Sequence, residues 1–333
     1  MIAPPLLALT LGDPAGTGPE LLNQALALSD LRAICRPLVV GDAATLDRAR
    51  AFTGSTLRIR AIDSPEAATF ATDAIDVLDL HNVDTAQFKL GRIDPMCGQA
   101  AYDAIKVATE LARAGRVNGI VTSAINKAAL NQAGHHFDGH TGLLAHLCGA
   151  PRATMMLVAD KLRVSHVSTH VPLRVAIDRV RPPRILEVLQ LTHDAVRRLG
   201  IEHPRLAVAG LNPHAGEGGL FGDEEQKFIA PAIAEARGLG LDVHGPFPGD
   251  TIFFRTLQGE FDAAIAMYHD QGHVAAKMLG IWRGVNVTLG LPIIRTSVEH
   301  GTDFANAGTG RGDPRSLVEA IKLAAAMART DSA

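Results

Sequence analysis

Short apolar runs alternate with longer helical patterns along almost the whole chain, and this alternation restricts the possible folds more than any other feature. The apolar runs, rich in Val, Ile and Leu, lie at 6–11, 37–42, 119–124, 154–159, 162–168, 205–211, 262–268 and 284–291. The helical patterns lie at 19–28, 43–51, 98–114, 183–199 and 314–328. Because strands buried on both faces read as unbroken apolar runs, the pattern predicts an α/β fold with a largely parallel sheet covered by helices on both faces.

Length and composition agree with a folded chain of two lobes. Of the 333 residues, 47% are apolar and 20% are charged, a balance that excludes a disordered chain. No Gly/Ser-rich linker is present, so two lobes would be joined by ordinary connections. Residues 53–97 carry many polar and turn residues and no clear period, and we expect an irregular excursion of the first lobe there.

Charge and cysteine content exclude several classes of function. Lys and Arg total 32 against 35 Asp and Glu, and no run of like charges offers a basic face to nucleic acid or to a membrane surface. No apolar stretch reaches the ~18 residues of a transmembrane helix, and the first apolar run lacks the positive segment of a signal peptide. Cys35, Cys97 and Cys148 are far apart and form no Cys-x-x-Cys pair, which indicates a cytoplasmic protein without a disulfide framework.

The 14 histidines are roughly twice the ordinary number for this length. His170, His214 and His269 each lie at or just beyond the C-terminal end of an apolar run. Ligands of open parallel sheets bind outside the carboxyl ends of the strands, so these three imidazoles are predicted to converge on one metal ion. Asp250 and Asp270 are candidates to orient or complete the ligand set. We interpret five other histidines as structural: His146, His166, His193, His203 and His244.

A second set of polar residues suits an anionic substrate. His140 and Thr141 begin a predicted helix, whose first N–H groups can bind a phosphate. Lys277 follows on a later helix, Asn286 interrupts an apolar strand, and Arg295 follows another buried run. Polar groups in such positions are costly unless they are paired, so they indicate either an anion site or internal ion pairs.

Three glycine-rich segments complete the candidate regions. The segment 12–20, GDPAGTGPE, lacks the Lys of a phosphate-binding P-loop and the glycine spacing of a dinucleotide motif. Pro19 and Glu20 weaken an anion site further, because one N–H is missing and a carboxylate already lies at the helix start. This segment is therefore either a tight structural turn or a loop that borders a cofactor cleft. The loops 212–219 and 299–310 carry His, Asp and Gly where binding residues concentrate.

Seven blocks of sequence resemble one known family over essentially the whole chain. They are GDPAGTGPE (12–20), GHT (139–141), STHVPLR (168–174), GLNPHAGEGG (210–219), GPFPGDTIF (245–253), AMYHDQGH (266–273) and GVNVTLGLPIIRTSVEHGT (284–302). In this order they are similar to the PdxA family, the 4-hydroxythreonine-4-phosphate dehydrogenases.

The resemblance implies a fold like that of isocitrate and isopropylmalate dehydrogenases, with two α/β/α lobes around a cleft. A cofactor-binding lobe is expected from residues 1–123 and 265–333. Residues 124–264 are expected to form a lobe for substrate, metal and dimerisation. The resemblance also implies a homodimer with its active sites at the subunit interface.

The family's site residues carry over one by one to positions in this chain. The implied metal ligands are His170, His214 and His269, for one divalent ion such as Zn, Co, Mn or Mg. The implied substrate contacts are His140, Thr141, Lys277, Asn286 and Arg295. NAD is expected near His300, Gly301 and Thr302. NADP is an alternative, because Asp303, Ala305 and Asn306 depart from the family's pattern.

The implied reaction is an oxidative decarboxylation of 4-phosphooxy-L-threonine to 3-amino-2-oxopropyl phosphate and CO₂, in pyridoxine biosynthesis. Lys127, with Asp250, is the candidate for proton transfer, and a solvent-exposed Lys at a helix start is its alternative interpretation. Ala124 and Asn126 depart from the vitamin-pathway enzymes, which favours the alternative of a D-threonate or D-erythronate 4-phosphate dehydrogenase. A phosphate acyltransferase and a non-catalytic phosphometabolite-binding protein are the alternatives from other classes.

Overall fold

The computed structural model describes residues 3–280 and 284–330, in two compact units. Unit 1 contains the chain up to residue 151 and again from residue 291, and unit 2 contains residues 152–290. The expected lobes are likewise built from both chain ends and from the middle of the chain, but their boundaries lie earlier, near 123 and 265. Residues 1–2, 281–283 and 331–333 of the expected lobes lie outside the described residues.

Twelve β-strands lie within the described residues. They are β1 Leu6–Thr10, β2 Arg36–Gly41, β3 Arg58–Ile62, β4 Ala74–Asp79, β5 Gly119–Thr122, β6 Thr154–Ala159, β7 Leu162–His166, β8 Arg205–Ala209, β9 Asp242–Phe247, β10 Ala263–Ala266, β11 Val285–Leu289 and β12 Arg295–Val298.

Twelve α-helices lie within the same residues. They are α1 Gly18–Leu26, α2 Ser29–Ile34, α3 Ala43–Thr53, α4 Pro95–Arg113, α5 Lys127–Gln132, α6 His140–Cys148, α7 Leu173–Arg179, α8 Pro182–Arg197, α9 Ala230–Gly238, α10 Ile252–Leu257, α11 His269–Lys277 and α12 Arg315–Thr330. None of the helices in the described part of the chain is both long and apolar enough to cross a membrane.

In unit 1 the strand order is β3-β4-β2-β1-β5-β12, and the pairs run parallel. The central strands are buried almost throughout, as their unbroken apolar sequences require. α5 and α6 pack with α4 and so belong to unit 1, which moves the boundary beyond residue 123. The largely parallel sheet between helices, predicted from the alternation, is confirmed.

The prediction of an irregular segment at 53–97 is wrong for its middle part. β3 and β4 lie there, at one end of the sheet. β3 is an edge strand with an exposed Arg58 and a half-buried Arg60, so its sequence lacks a continuous apolar run. β4 contains the buried Asp76, which accepts hydrogen bonds from Arg60 Nε at 2.5 Å and from the N–H groups of Thr69 and Phe70.

In unit 2 the strand order is β11-β6-β7-β10-β8-β9. β11, β6 and β7 pair antiparallel, whereas β7, β10, β8 and β9 pair parallel. One apolar core lies under α8 and α9, and another packs against α10 and α11. The four parallel strands therefore end at one edge, and the loops that follow them carry the candidate metal ligands.

Candidate active site

Four candidate residues of unit 2 follow the carboxyl ends of four neighbouring parallel strands. His170 follows β7, His269 follows β10, His214 follows β8 and Asp250 follows β9. Gln271 joins the ends of β8 and β10, because its Nε2 donates to the Gly210 carbonyl and its Oε1 accepts from the Met267 N–H, both at 2.7 Å. The topology agrees with the edge expected from the sequence.

His170 and His269 are brought together. Their ring centroids lie 5.5 Å apart, and both line a cavity of about 440 Å³ with Tyr268 and Asp270. The Nδ1 of His269 lies 2.7 Å from Asp270 Oδ1. A carboxylate on one ring nitrogen fixes the tautomer that presents the other nitrogen as a metal ligand.

Two further histidines lie behind His269. The ring of His273 stacks on it at 3.6 Å, and His273 Nδ1 lies 3.2 Å from the Nε2 of the fully buried His166. Burial and the neighbouring imidazoles lower the pKa of His166 to about 3 and that of His273 to about 4, so both are neutral near pH 7. His273 was not among the sequence candidates, although its position four residues after His269 on one helix face was the available signal.

His214 lies in an unusual backbone segment, which we call the left-handed loop (residues 214–218). All five residues have positive φ, between 43° and 81°. The buried carboxylate of Glu225 holds the segment just before it, accepting from the N–H groups of Leu211 and Asn212 at 2.7 Å and from Asn212 Nδ2 at 3.0 Å. His214 itself is exposed and its ring lies nearest that of Phe221, at 6.1 Å.

Among residues 3–280 and 284–330, no three His, Cys, Asp or Glu side chains are grouped closely enough to hold a metal ion. His170 and His269 form a pair, and neither His214 nor Asp250 lies with them as a third ligand. The donor set still fits a divalent ion. Two imidazoles 5.5 Å apart lie within the span that one ion bridges when each metal–nitrogen bond is about 2.0–2.1 Å.

The two remaining unit 2 candidates lie apart from this pair. Lys277 is the last residue of α11 and is exposed. Asn286 lies on β11, where its Nδ2 donates to Met155 Sδ at 2.9 Å. Its Oδ1 is buried and has no hydrogen-bond partner among the residues described.

In unit 1, the side chains of Lys127, His140 and Arg295 lie near one another beside the carboxyl end of β5 and form one cluster. Arg295 is only 1% exposed, and its Nη2 donates to Thr122 Oγ1 at 2.7 Å. Burial lowers its pKa to about 9, so the guanidinium is charged at pH 7. Burial, with the nearby charges of Arg295 and Lys127, holds the pKa of His140 well below its ordinary range.

The first turn of α6 faces this cluster. His140 is its first residue, and Gly139, which precedes it, has φ 148°. A Cβ at Gly139 would lie 3.6 Å from Lys127 Cε, so the lysine stem passes close to this turn. His140 Nε2 is buried without a hydrogen-bond partner in the described part of the chain. Thr141 follows in the same turn, as the sequence predicted.

Asp13 is a buried carboxylate that the sequence analysis left without a role. Its Oδ1 accepts from the Ala15 N–H at 2.8 Å, whereas Oδ2 is buried and lacks a partner among the described residues. Burial, reinforced by Asp94, raises its pKa to about 6, against the lowering effect of the N–H groups of Ala15 and Asn126. No pattern in the sequence indicated this, because the Asp is one residue of a turn-like segment.

The loop 300–310 of unit 1 contains the expected nucleotide-binding residues. His300 Nδ1 lies 2.8 Å from the Gly301 carbonyl, so Nδ1 is the donor in this contact and Nε2 is the nitrogen left for another partner. That Nε2 is buried and unpartnered within the described residues. The carbonyl of Thr302 accepts from the Thr17 N–H at 3.0 Å. Asp303, at φ 48°, accepts from Asn306 Nδ2.

Comparisons with known proteins identify the family. The family model described as "Pyridoxal phosphate biosynthetic protein PdxA" matches residues 33–324. The chain belongs to the PdxA family.

Members of the family resemble the chain over nearly its full length. It is 47% identical over 325 residues to the D-threonate 4-phosphate dehydrogenase of Cupriavidus necator, covering 97% of each chain. It is 43% identical over 325 residues to the 4-hydroxythreonine-4-phosphate dehydrogenase of Desulforapulum autotrophicum, covering 97% of this chain and 96% of the relative. The crystal structure of a 4-hydroxythreonine-4-phosphate dehydrogenase from Burkholderia phymatum superposes with a TM-score of 0.88 at 45% identity, covering 98% of each chain.

These PdxA relatives are dehydrogenases, and the chain is accordingly an oxidoreductase. The family predicted from the seven sequence blocks is confirmed, as is its α/β fold.

Proposed function

We propose that the chain catalyses an NAD-dependent, metal-assisted oxidative decarboxylation of a 4-phosphorylated 3-hydroxy acid. The observation that carries the proposal is the His170–His269 imidazole pair, at the strand edge of unit 2 and beside Asp270, in a chain of a dehydrogenase family. The reaction transfers a hydride from C3 to the nicotinamide and releases the C3 hydroxyl proton to solvent. The C1–C2 bond then breaks, CO₂ leaves, and C2 gains a proton.

The residues that would hold a divalent metal are His170, His269 and His214. When bound, the ion would lower the pKa of the substrate hydroxyl and stabilise negative charge during decarboxylation. Asp270 keeps the His269 ring in one tautomer, which supports its assignment as a ligand. Zn, Co, Mn and Mg are all compatible with the proposal.

The phosphate is assigned to the unit 1 cluster. Arg295 supplies a buried charge, α6 supplies N–H groups at His140 and Thr141, and Lys127 lies against the same turn. Lys277 and Asn286 are assigned to substrate by the family resemblance, and the buried Oδ1 of Asn286 supports a polar ligand there.

NAD is assigned to His300, Gly301 and Thr302. The unpartnered Nε2 of His300 is the ring nitrogen left for a polar group of a nucleotide. For the proton at C2 we retain Lys127, with Asp250 as its partner in proton transfer. The cofactor lobe and the substrate lobe of the sequence analysis correspond in this proposal to units 1 and 2, and NADP stays the alternative cofactor.

For the substrate, the relatives' names give two candidates. D-Threonate 4-phosphate is favoured, because a relative of that name is 47% identical over 97% of the chain. 4-Phosphooxy-L-threonine, the substrate of the pyridoxine route, is the alternative, and a relative of that activity is 43% identical. Atom balance distinguishes the products, since loss of CO₂ gives dihydroxyacetone phosphate from the first acid and 3-amino-2-oxopropyl phosphate from the second.

We also propose that the chain acts in the cytoplasm as a homodimer with its active sites at the subunit interface. Large apolar side chains of unit 2 support the dimer, because they are exposed in the single chain: Leu173, Leu220, Phe254, Val274 and Met278. Light scattering after size exclusion should give about twice the 35.2 kDa chain mass.

The deciding experiment is NADH formation with each phosphorylated acid, with and without added divalent metal. We expect turnover with one of the two acids, abolished by a chelator and restored by metal. His269→Ala should lose both metal binding and turnover while its circular dichroism spectrum stays unchanged. No NADH with either acid would refute the proposed reaction.

A further inference from the structure

The carboxylate of Glu20 lies under the loop that is assigned to the nucleotide. Its side chain is 1% exposed, Oε1 accepts from the Gly308 N–H at 2.6 Å, and Oε2 accepts from the Gly310 N–H at 2.7 Å. A carboxylate is rarely buried unless it is paired. Here both of its oxygens are used to bind one loop.

Neighbouring residues of the same segment hold the other parts of this loop. Gln24 Nε2 donates to the Gly310 carbonyl at 2.9 Å, and the Thr17 N–H donates to the Thr302 carbonyl at 3.0 Å. Gly16 packs so closely that a Cβ there would lie 2.8 Å from the Thr302 oxygen. The segment 16–24 therefore fixes the loop at both Thr302 and Gly310.

This arrangement decides between the two interpretations of the GDPAGTGPE segment. The helix α1 begins at Gly18, and Glu20 places a carboxylate in its first turn, where a phosphate would otherwise be attracted. The segment binds a loop of its own chain instead of an anion. Its hydrogen bonds fix the shape of the loop 300–310.

We propose that Glu20 is a positioning residue for the dinucleotide, which acts by holding the loop 300–310 in its nucleotide-binding shape. The inference rests on the proposed function, since it takes the nucleotide to bind at His300, Gly301 and Thr302. Glycines at 308 and 310 have φ of 81° and 67°, a conformation that the loop keeps only while its contacts fix it. When a loop holds its binding shape for only a fraction of the time, the apparent Kd rises by the inverse of that fraction.

The test is Glu20→Gln, which keeps the side-chain volume but replaces one acceptor oxygen with a donor that faces an N–H group. We expect the Kd for NADH, measured by fluorescence of the reduced nicotinamide, to rise about tenfold, as does the KM for NAD. The KM for the phosphorylated acid and kcat at saturating NAD should change less than about twofold. Glu66→Gln is the matched control, because Glu66 is an exposed carboxylate of unit 1 that pairs with Arg116.

Gln24→Ala is the second variant, in case Glu20→Gln fails to fold. It removes one hydrogen bond to the same loop from a half-buried position, and we expect the Kd for NADH to rise about threefold. Equal Kd values for NADH in both variants and in the unmodified chain would overturn the assignment even if the Tm falls. An unmodified chain that binds no NADH while its NAD-independent metal binding persists would overturn the proposed function, and the assignment with it.

Discussion

Two loops of this chain, one in each unit, are each held by one buried glutamate. Glu20 binds the loop 300–310 of unit 1 through two glycine N–H groups, and Glu225 binds residues 211–212 of unit 2 through two N–H groups and a side-chain amide. The loops differ in their backbone. In the loop 300–310, residues with positive φ are separated along the chain. In unit 2, all five consecutive residues of the left-handed loop have positive φ.

The difference shows where conformational strain is stored. Non-glycine residues in the left-handed region cost about 1–2 kcal/mol each, and His214, Ala215 and Glu217 are all there. The unit 1 loop has only Asp303 in that state, and Asn306 Nδ2 bonds to its carboxylate. We therefore expect the unit 1 loop to be shaped before its ligand arrives, and the unit 2 loop to depend on Glu225 to carry His214.

The largest effect is expected from Glu225→Ala. It leaves two backbone N–H groups and the Asn212 amide without their acceptor, so the free energy of unfolding should fall by about 4 kcal/mol. Urea unfolding followed by circular dichroism measures this loss. The metal affinity of the folded variant is measured by competition with a coloured chelator. It should fall at least about tenfold, because loss of the Glu225 hydrogen bonds leaves the backbone before His214, a proposed metal ligand, without its support.

Glu235→Ala is the control for Glu225→Ala, since it removes an exposed glutamate from α9 of the same unit. It should change neither unfolding nor metal affinity measurably. If Glu225→Ala loses stability but binds metal as tightly as the unmodified chain, His214 does not depend on the left-handed loop.

A third buried carboxylate sharpens the comparison, because only one oxygen of Asp13 has a hydrogen-bond partner among the described residues. Its pKa is raised from 3.8 to about 6 in the folded chain, with Asp94 and Cys97 of α4 as the titratable groups facing it. The folded state therefore holds this proton more tightly than the unfolded state. The resulting stability is present below about pH 4 and is lost as the pH rises to about 6, by about 3 kcal/mol in total.

Asp13→Asn has no such titration, so its stability relative to the unmodified chain should improve by about 2 kcal/mol between pH 4 and pH 7, the part of the total change that falls in this range. Chemical unfolding of both proteins at pH 4, 5, 6 and 7 measures the change. Asp94→Asn is a second variant for comparison. It removes the neighbouring charge that raises the Asp13 pKa, so the change in unfolding free energy with pH should be smaller. A difference between the proteins that stays constant with pH would show that Asp13 does not titrate in this range.

The sequence predicted those parts of the fold that have a periodic or continuous signature. β1, β2, β6 and β8 coincide with apolar runs, because strands covered on both faces contain little else. β3 was missed because an edge strand with Arg58 and Arg60 has no such run. β12 was missed as a strand because it begins with the buried Arg295, whose charge interrupts the apolar pattern.

The candidate site was predictable for residues at strand ends and not for those that support them. His170 and His269 were found because a polar residue directly after an apolar run marks the edge of a parallel sheet. The pairing of Glu20 with Gly308 and Gly310 joins residues almost 290 positions apart, and no local pattern carries that information. Glu225 was missed for the same reason, because its bonds to Leu211 and Asn212 depend on the tertiary fold, whereas His273 had a local signal in its position four residues after His269.

The smallest expected effect is the difference in stability between two glycine substitutions, one in each loop, at positions with the same φ. Gly216 and Gly308 both have φ 81°, so an Ala at either position carries the same backbone penalty. At Gly216 the new Cβ would lie 2.7 Å from Oε2 of the Glu225 carboxylate, whose two oxygens together accept three hydrogen bonds, whereas at Gly308 it would meet the flexible end of Leu90 at 2.7 Å.

We therefore expect Gly216→Ala to lower the free energy of unfolding by about 1 kcal/mol more than Gly308→Ala, because a leucine end can move aside and a fixed carboxylate does so only by breaking bonds. Gly218→Ala, at φ 67° with no atom near the new Cβ, supplies the backbone penalty alone. The three urea midpoints, compared at equal m-values, measure the difference. Equal losses at Gly216 and Gly308 would mean that the Glu225 carboxylate moves as readily as Leu90, and that the left-handed loop is no more firmly held than the loop 300–310.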